Sequence, residues 1–361
     1  MKTSQFLINL LLEICLFHTT SANSNPRPGE TVTIHVVTHS HLDAGWVYPV
    51  DRCYQTVAAI FDSVLEALLL NSERKYTVGD MYFFRRWYTG LRVDQQASVK
   101  ELVRNGRVEI VHGGAVSTDE ATVSFHDMID NMMGSRHWIQ KEFGVIPDIG
   151  WQLDAFGHSA ANARFFAEIG IEALVFARMP DALLAYWADN RMKDFIWQPE
   201  FATTTSESPG LFAHALYDHY SAPGGLDYFN GGNNMKTVQA LPDLRHVKTY
   251  VDIVRDYGYG QANQYKHNQV LLLFGDDFAH PQAESSYQLM DAIIGNMKSE
   301  ADIVIKYSTV HDYIEGIKAE AVRKNIVWPV YTDDLFPQFT DQAEYWSGYY
   351  TTDPFIKRSI R

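Results

Sequence analysis

The sequence predicts a parallel α/β fold, on two observations. Short β-branched or apolar segments of strand length alternate with longer segments whose apolar residues recur at helical spacing. Residues 149–177 also read as strand, loop, helix, glycine and strand, which is the form of the crossover joining two parallel strands. The chain has 361 residues, 46% of them hydrophobic, which is a length that a single α/β barrel commonly uses.

The elements follow from apolar spacing and from the residues that end each segment. Asn105-Gly106, Gly144 and Gly170 mark helix ends, and Ser117 with Glu120 forms a capping box that should open a long helix. Aromatic, proline and glycine residues in 179–227 predict long loops over a pocket. The predicted strands are 31–38, 75–79, 107–112, 149–153, 172–177, 270–274 and 303–307. The predicted helices are 55–70, 81–88, 93–105, 121–143, 160–169, 241–257, 282–298 and 309–318.

The first 23 residues predict a secretory signal peptide, with Lys2, an apolar stretch over 6–17 and small polar residues over 19–23. The remainder, 24–361, is predicted to be one α/β domain in the secretory pathway, either lysosomal or secreted. No later run approaches about 18 apolar residues, so we expect no membrane span. Cys53 is the one cysteine outside the leader, so no internal disulfide is expected.

Charge excludes some partners. The formal net charge of -14 argues against nucleic acid and anionic membranes, because both require a basic face.

The most informative stretch is VVTHSHLDAGW, residues 36–46. Positions two apart share one face of a strand, so His41 and Asp43 should point the same way at the end of the first strand. An imidazole beside a carboxylate suits a divalent cation such as zinc. The alternative is a polar loop after a buried strand, with the histidines capping backbone groups.

Acidic residues follow three predicted strands directly: His41/Asp43, Asp154 and Asp276/Asp277. In parallel α/β folds the loops after the strands build the active site, although aspartates that cap helices would explain each cluster separately. Asp119 and Glu120 have the chemistry for a direct catalytic role, but favourable charge at a helix N-terminus is the commoner explanation for first-turn acids.

Carboxylates beside a cation permit glycoside hydrolysis. One carboxylate attacks the anomeric carbon, while a second with a raised pKa protonates the leaving oxygen. Trp46, Phe156, Tyr217 and Tyr220 would give a sugar ring apolar faces, although aromatic residues are more often part of the core.

Five blocks occur in this order along the chain: HSHLDAGW, GGAVSTDEA, WQLDAFGHS, LFGDDF and LFPQFTDQAEYWSGYYTTDP. Together they resemble glycoside hydrolase family 38, the zinc-dependent class II α-mannosidases, and they look closest to the lysosomal and epididymis-specific branch. The resemblance runs from about Ile34 to Arg361 and implies a seven-stranded parallel β/α barrel-like catalytic domain. It implies a retaining α-mannosidase that acts on terminal mannose of N-glycans and other mannosides. It does not decide whether the chain forms a homo-oligomer.

The resemblance also assigns residues. His41, Asp43 and Asp154 match zinc ligands, and Asp154 also matches the nucleophile. Asp277 matches the general acid/base. The substrate-binding matches are Trp46, Phe156, Arg178, Tyr220 and Asp276.

Departures from the family pattern define the alternatives. Ala115 stands where the family usually has Trp, Ala155 where it has Pro, and the 230–240 region looks short. The family's fourth zinc ligand, a histidine, and its helical-bundle and β-domains would follow Arg361. The chain therefore resembles the N-terminal catalytic part of a longer enzyme, with a truncated, inactive mannose-binding relative as the alternative. A zinc-dependent polysaccharide deacetylase ranks lower because it gives LFGDDF no clear role.

Overall fold

The computed structural model describes residues 30–199, 210–227, 242–340 and 344–360. The predicted leader and the 230–240 region lie outside these ranges. The strands are β1 Val32–Thr38, β2 Tyr76–Val78, β3 Val108–Ile110, β4 Ile149–Gln152, β5 Ala173–Phe176, β6 Asp194–Trp197, β7 Leu211–Ala215, β8 Gln269–Phe274, β9 Ile303–Tyr307 and β10 Val330–Tyr331. The helices are α1 Val50–Leu70, α2 Met81–Gly90, α3 Val93–Arg104, α4 Phe125–Phe143, α5 Ala160–Glu168, α6 Asp181–Asn190, α7 Val247–Gln264, α8 Ala283–Met297, α9 Val310–Lys324, α10 Gly348–Thr351 and α11 Pro354–Ile360.

The predicted α/β class with parallel pairing is confirmed, but the predicted seven-stranded barrel-like arrangement is not confirmed, because the described strands do not form one closed sheet. The described strands form three sheets, in the orders β8-β1-β9, β10-β6-β7-β5-β4 and β2-β3. Pairing is parallel except between β6 and β7. β2 and β3 are three residues long, too short for continuous ladders with both neighbours, so a single bridge, His39 to Thr77, joins β1 to β2.

The main core lies around β1 and α1. Val32, Ile34, Val36 and Val37 of β1 are fully buried, as expected for a parallel strand covered on both faces. By length and composition alone, α1 is long and apolar enough to cross a membrane. Its apolar face packs into this core, and a mostly buried core helix meets the same criteria.

Two local predictions were wrong. The long helix begins at Phe125 rather than at 121, because Ser124 caps it by accepting from the Asp127 amide. Residues 117–120 instead form part of an irregular segment. The 179–227 stretch, predicted as loops, contains α6, β6 and β7. The predicted helix ends at Gly144 and Gly170 agree with their left-handed φ values of 73° and 85°.

Gly275 lets the ends of β1 and β8 come together. A β carbon at this position would lie 2.1 Å from the His39 carbonyl oxygen, so no other residue fits without moving the backbone. Directly beyond it, the His41 amide donates to the Asp276 carbonyl oxygen at 3.1 Å, and the Phe278 amide donates to the His41 carbonyl oxygen at 2.9 Å. The close approach therefore places the acidic residues after β8 beside His41.

Candidate active site

A cavity of about 920 Å³ lies at the C-terminal ends of the strands, and residues after β1, β4, β5, β7 and β8 line it. Its volume is in the range of small-molecule sites. The sequence-predicted site residues all line this cavity, namely His41, Asp43, Trp46, Asp154, Phe156, Arg178, Tyr220, Asp276 and Asp277. The three acidic clusters therefore converge, which separate helix caps would not require.

His41, Asp43 and Asp154 form a group that could hold a metal ion. His41 Nε2 lies 3.2 Å from Asp43 Oδ1 and 3.4 Å from Asp154 Oδ2. Neither approach meets hydrogen-bond geometry, so this buried nitrogen has ionic contacts but no hydrogen-bond partner among the described residues. Four ligands at about 2.0–2.1 Å from a tetrahedral zinc ion would be separated by about 3.3 Å. The three donors thus fit zinc in both type and spacing.

Asp154 is kept in its charged form. Arg178 Nε donates to Asp154 Oδ1. Burial raises the pKa of Asp154, but His41 and Arg178 outweigh burial and hold that pKa below its ordinary value. The guanidinium of Arg178 also lies 4.2 Å from the ring centre of Trp346, within the range of a cation–π interaction.

Asp277 is shifted in the opposite direction. Burial raises the pKa of Asp277, and neither the charge of His41 nor the Tyr220 hydrogen bond reverses that shift. Tyr220 donates its hydroxyl proton to Asp277 Oδ1 at 2.9 Å. The pKa of Asp276 is also raised by burial, and Asp276 Oδ1 accepts from the Asp277 amide at 2.7 Å. The cavity therefore contains carboxylates with different proton affinities.

Glu120 has a role other than favourable charge at a helix N-terminus. Its side chain is about 1% exposed. Glu120 Oε1 lies 2.9 Å from His158 Nδ1 and accepts from Gln152 Nε2 at 3.0 Å, and Oε2 accepts from the Ser159 amide at 2.8 Å. These groups flank Asp154 in the chain, so Glu120 holds the loop that carries it. Asp119 lines the cavity.

Sequence reasoning missed several cavity residues. His219, Trp346, Tyr349, Tyr350 and Lys357 line the wall. The segment YWSGYYTTDP was noted only as a block of resemblance, and aromatic residues give no signal that separates a cavity wall from a core.

Some positions raised by the sequence lie elsewhere. Tyr217 lies outside the lining of this cavity. His280 lies close to the acidic residues after β8 in the sequence but is fully buried, with Nε2 2.9 Å from the Phe274 carbonyl oxygen, and it does not line this cavity. Ala155 lines the cavity. The Ala115 carbonyl oxygen accepts from the Tyr82 amide at 2.8 Å.

Residues 31–342 match the glycosyl hydrolases family 38 N-terminal domain. The chain is 32% identical over 351 residues to a lysosomal alpha-mannosidase of Dictyostelium discoideum, an alignment that covers 94% of this chain and 34% of that protein. The chain spans about a third of the length of the curated relatives that it matches.

Two solved structures show the same kind of fold. An alpha-mannosidase from Enterococcus faecalis V583 aligns with a TM-score of 0.60 at 15% identity, covering 84% of this chain and 31% of that one. A putative polysaccharide deacetylase from Mycobacterium smegmatis aligns with a TM-score of 0.50 at 11% identity, covering 86% of this chain and 97% of that one. At these identities the likeness concerns the fold alone.

Proposed function

The chain belongs to glycosyl hydrolase family 38, and from this premise we propose that it is the catalytic part of a zinc-dependent retaining α-mannosidase. Its substrates would be terminal α-mannosyl residues of N-glycans and other mannosides. The observation that carries the proposal is the convergence of Asp154, Asp277 and the His41–Asp43–Asp154 group in one cavity. A deacetylase would leave Asp277 without a role.

His41, Asp43 and Asp154 would hold the zinc ion, and the spacing of their donor atoms supports this. When bound, zinc supplies positive charge and a fixed point for adjacent sugar hydroxyls. Catalytic zinc sites typically keep three protein ligands and an open position.

Asp154 and Asp277 would have different roles in the reaction. Asp154 would attack the anomeric carbon as its bond to the leaving oxygen breaks, and Asp277 would give that oxygen its proton. Asp277 would then take a proton from the water that displaces Asp154, so the configuration is retained and both residues return to their starting states. The lowered pKa of Asp154 and the raised pKa of Asp277 support this assignment.

The remaining wall residues would orient the sugar. Trp46 and Phe156 offer apolar ring faces, and Asp276 offers a carboxylate to the hydroxyls. Arg178 orients Asp154 through its hydrogen bond, and Tyr220 orients Asp277.

The finer architecture is part of the proposal. Single backbone contacts, such as the His39–Thr77 bridge and the His112 amide donating to the Ile149 carbonyl oxygen at 2.6 Å, support a barrel-like arrangement of β1, β2, β3, β4, β5, β7 and β8. We propose a single α/β domain over 24–361 behind a leader at 1–23. Relatives named lysosomal alpha-mannosidases support a lysosomal or secreted location.

The test is hydrolysis of a chromogenic aryl α-mannoside by this chain with added zinc at mildly acidic pH. We expect turnover that a chelator abolishes and zinc restores, with the corresponding aryl β-mannoside as the matched negative substrate. Zinc-dependent mannose binding by a folded preparation without turnover would favour the alternative, a non-catalytic mannose-binding relative. Absence of both binding and turnover would overturn both proposals.

A further inference from the structure

The loop that carries Asp154 runs from the end of β4 to the start of α5, over residues 153–159. Among these residues, all of which the structure describes, there is no helix or strand, and a bridge pairs His158 with Leu335. Regular backbone pairing therefore does not fix the position of Asp154. The proposed reaction uses this residue both as the nucleophile and as a zinc ligand, so contacts on either side of it have to supply the precision.

Gln152 anchors the strand side of this loop. Its side chain is fully buried. The amide nitrogen donates to the Thr118 carbonyl oxygen at 2.9 Å and to Glu120 Oε1 at 3.0 Å, and the amide oxygen accepts from the Thr118 amide at 3.1 Å. Both ends of the Gln152 side-chain amide are therefore bonded to the segment that contains Glu120.

Glu120 also holds the helix side of the loop. Glu120 Oε1 accepts from His158 Nδ1 at 2.9 Å, and Oε2 accepts from the Ser159 amide at 2.8 Å. An ionised carboxylate offers only acceptors, so the His158 proton in this bond lies on Nδ1. One carboxylate, about 1% exposed, is thus bonded to residues that precede and follow Asp154 in the chain.

A glutamine at position 120 would not make the same set of bonds. Each hydrogen bond that the structure describes for the Glu120 carboxylate comes from a donor, namely the Gln152 side-chain amide, the His158 ring nitrogen or the Ser159 backbone amide. The NH2 group of a glutamine would face one of these donors. A buried donor that faces another donor is unfavourable, so the geometry requires two acceptor oxygens at this position.

Other contacts hold the helix side of the loop alone. The His158 amide donates to the Leu335 carbonyl oxygen at 3.3 Å, and the Leu335 amide donates to the His158 carbonyl oxygen at 2.8 Å. The Ala160 amide donates to Asp334 Oδ1 at 2.7 Å. These bonds do not connect to Gln152. Loss of the Glu120 bonds would therefore remove the common point that ties the two sides of the loop together.

Glu120 acts from behind the catalytic cavity. Thr118 and Asp119 line that cavity, and Glu120 does not. Its carboxylate is turned towards the residues that flank Asp154. Any effect of Glu120 on a bound sugar or on zinc therefore has to pass through the loop.

We propose that Glu120 is a positioning residue for Asp154. By holding the loop on both sides, its carboxylate sets the place of the side chain that would attack the sugar and bind zinc. This inference rests on the proposed α-mannosidase function. Replacing residues that orient a metal ligand typically costs about 10–100-fold in metal affinity or activity. Because Asp154 serves both purposes, replacing Glu120 should impair both.

The test compares Glu120→Gln with Glu320→Gln. Glu320 is the matched control, because this carboxylate is 3% exposed and also accepts from a backbone amide and a glutamine side chain. These donors are the Asn268 amide at 3.0 Å and Gln269 Nε2 at 2.8 Å. They lie at the start of β8, at the opposite end of that strand from the catalytic cavity.

Urea unfolding, zinc affinity and amide hydrogen exchange of the zinc-free chain are measured for the wild type and both variants. Both variants should lower the urea midpoint, because each leaves buried donors facing each other. Glu120→Gln alone should weaken zinc binding by about tenfold or more and accelerate exchange across residues 153–159. Glu320→Gln should change zinc affinity by less than about twofold, since distant sites act independently. At saturating zinc, kcat for the aryl α-mannoside should fall about 10–100-fold in Glu120→Gln alone.

Unchanged zinc affinity in Glu120→Gln, or an equal loss in both variants, would overturn the inference. If Glu120→Gln does not fold, His158→Phe replaces it. This change removes the Nδ1 bond to Glu120 and keeps a ring against Phe176, 4.8 Å away between ring centres. It should weaken zinc binding by about threefold or more, in line with the loss of one hydrogen bond.

The two proposals fail separately. A wild-type chain that binds zinc but does not hydrolyse the aryl mannoside would reject the catalytic function alone, and the zinc affinities of the variants would still decide the role of Glu120. A wild-type chain that binds no zinc would reject the zinc-dependent function. The exchange rates across residues 153–159 would then decide whether Glu120 holds the loop, and equal rates in Glu120→Gln and the wild type would overturn this inference as well.

Discussion

Replacing Gly275 by alanine tests how the fold brings the site together. The new β carbon would lie 2.1 Å from the His39 carbonyl oxygen, and carbon–oxygen contacts are normally no shorter than about 3.3 Å. The ends of β1 and β8 must therefore separate by about 1.2 Å. Such overpacking costs about 1–3 kcal/mol. Two backbone hydrogen bonds join the strand ends, from the His39 amide to the Phe274 carbonyl oxygen and from the His41 amide to the Asp276 carbonyl oxygen. Losing them would cost about 0.5–1.5 kcal/mol more for each bond.

The assay combines denaturant unfolding with zinc titration. Gly275→Ala should lower the free energy of unfolding by about 2–6 kcal/mol and weaken zinc binding, because His41 moves with the end of β1. Gly295→Ala is the control, since no atom lies within 4 Å of its added β carbon. Gly295 lies in the last turn of α8, so its replacement should raise the free energy of unfolding by no more than about 0.5–1 kcal/mol and leave zinc affinity unchanged. A Gly275→Ala protein with unaltered stability and zinc affinity would refute the reasoning.

Asp154→Asn should abolish aryl mannoside turnover and weaken zinc together, because one carboxylate serves both purposes; retention of either in kinetic and zinc titrations would contradict its double role. Asp277→Asn should slow substrates with poor leaving groups most, because those need the proton, and an equal loss across a series of aryl leaving groups would count against an acid. His112 is fully buried, and burial lowers its pKa from 6.5 to about 3. As the pH falls, the unfolded chain therefore binds a proton at this histidine before the folded chain does. The unfolding free energy of the wild type should fall as the pH drops through 6.5. As the pH falls from about 7.5 to 5, the unfolding free energy of His112→Asn should therefore rise by about 2 kcal/mol relative to that of the wild type. A difference in unfolding free energy that does not change with pH would contradict this prediction.

The sequence was most informative where strands end. His41, Asp43, Asp154, Asp276 and Asp277 could be predicted to meet because each follows a buried apolar run, and parallel strands place their carboxyl ends at one edge. That argument needs only local periodicity and topology. It does not depend on the sheet closing into a barrel, which is why these residues could be predicted although the seven-stranded barrel-like arrangement is not confirmed among the described strands.

Predictions failed where a distant partner decides the outcome. Ser117 to Glu120 has the local form of a capping box, but Glu120 accepts from Gln152 and the Ser159 amide, more than 30 residues away. These buried bonds outweigh the modest gain from a first-turn acid. Tyr220 lines the cavity at the strand ends and Tyr217 does not, and no local sequence pattern distinguishes the two positions.

The opposite pKa shifts of Asp154 and Asp277 follow from their neighbours. Both carboxylates are largely buried, so desolvation alone would raise the pKa of both. Asp154 lies beside His41 and is hydrogen-bonded by the permanent cation of Arg178, and both neighbours stabilise its charged form. Asp277 is bonded by the neutral hydroxyl of Tyr220, which stabilises its charged form less, since a neutral donor offers no net charge. These opposite shifts within a single cavity support the proposed roles of Asp154 as nucleophile and Asp277 as acid.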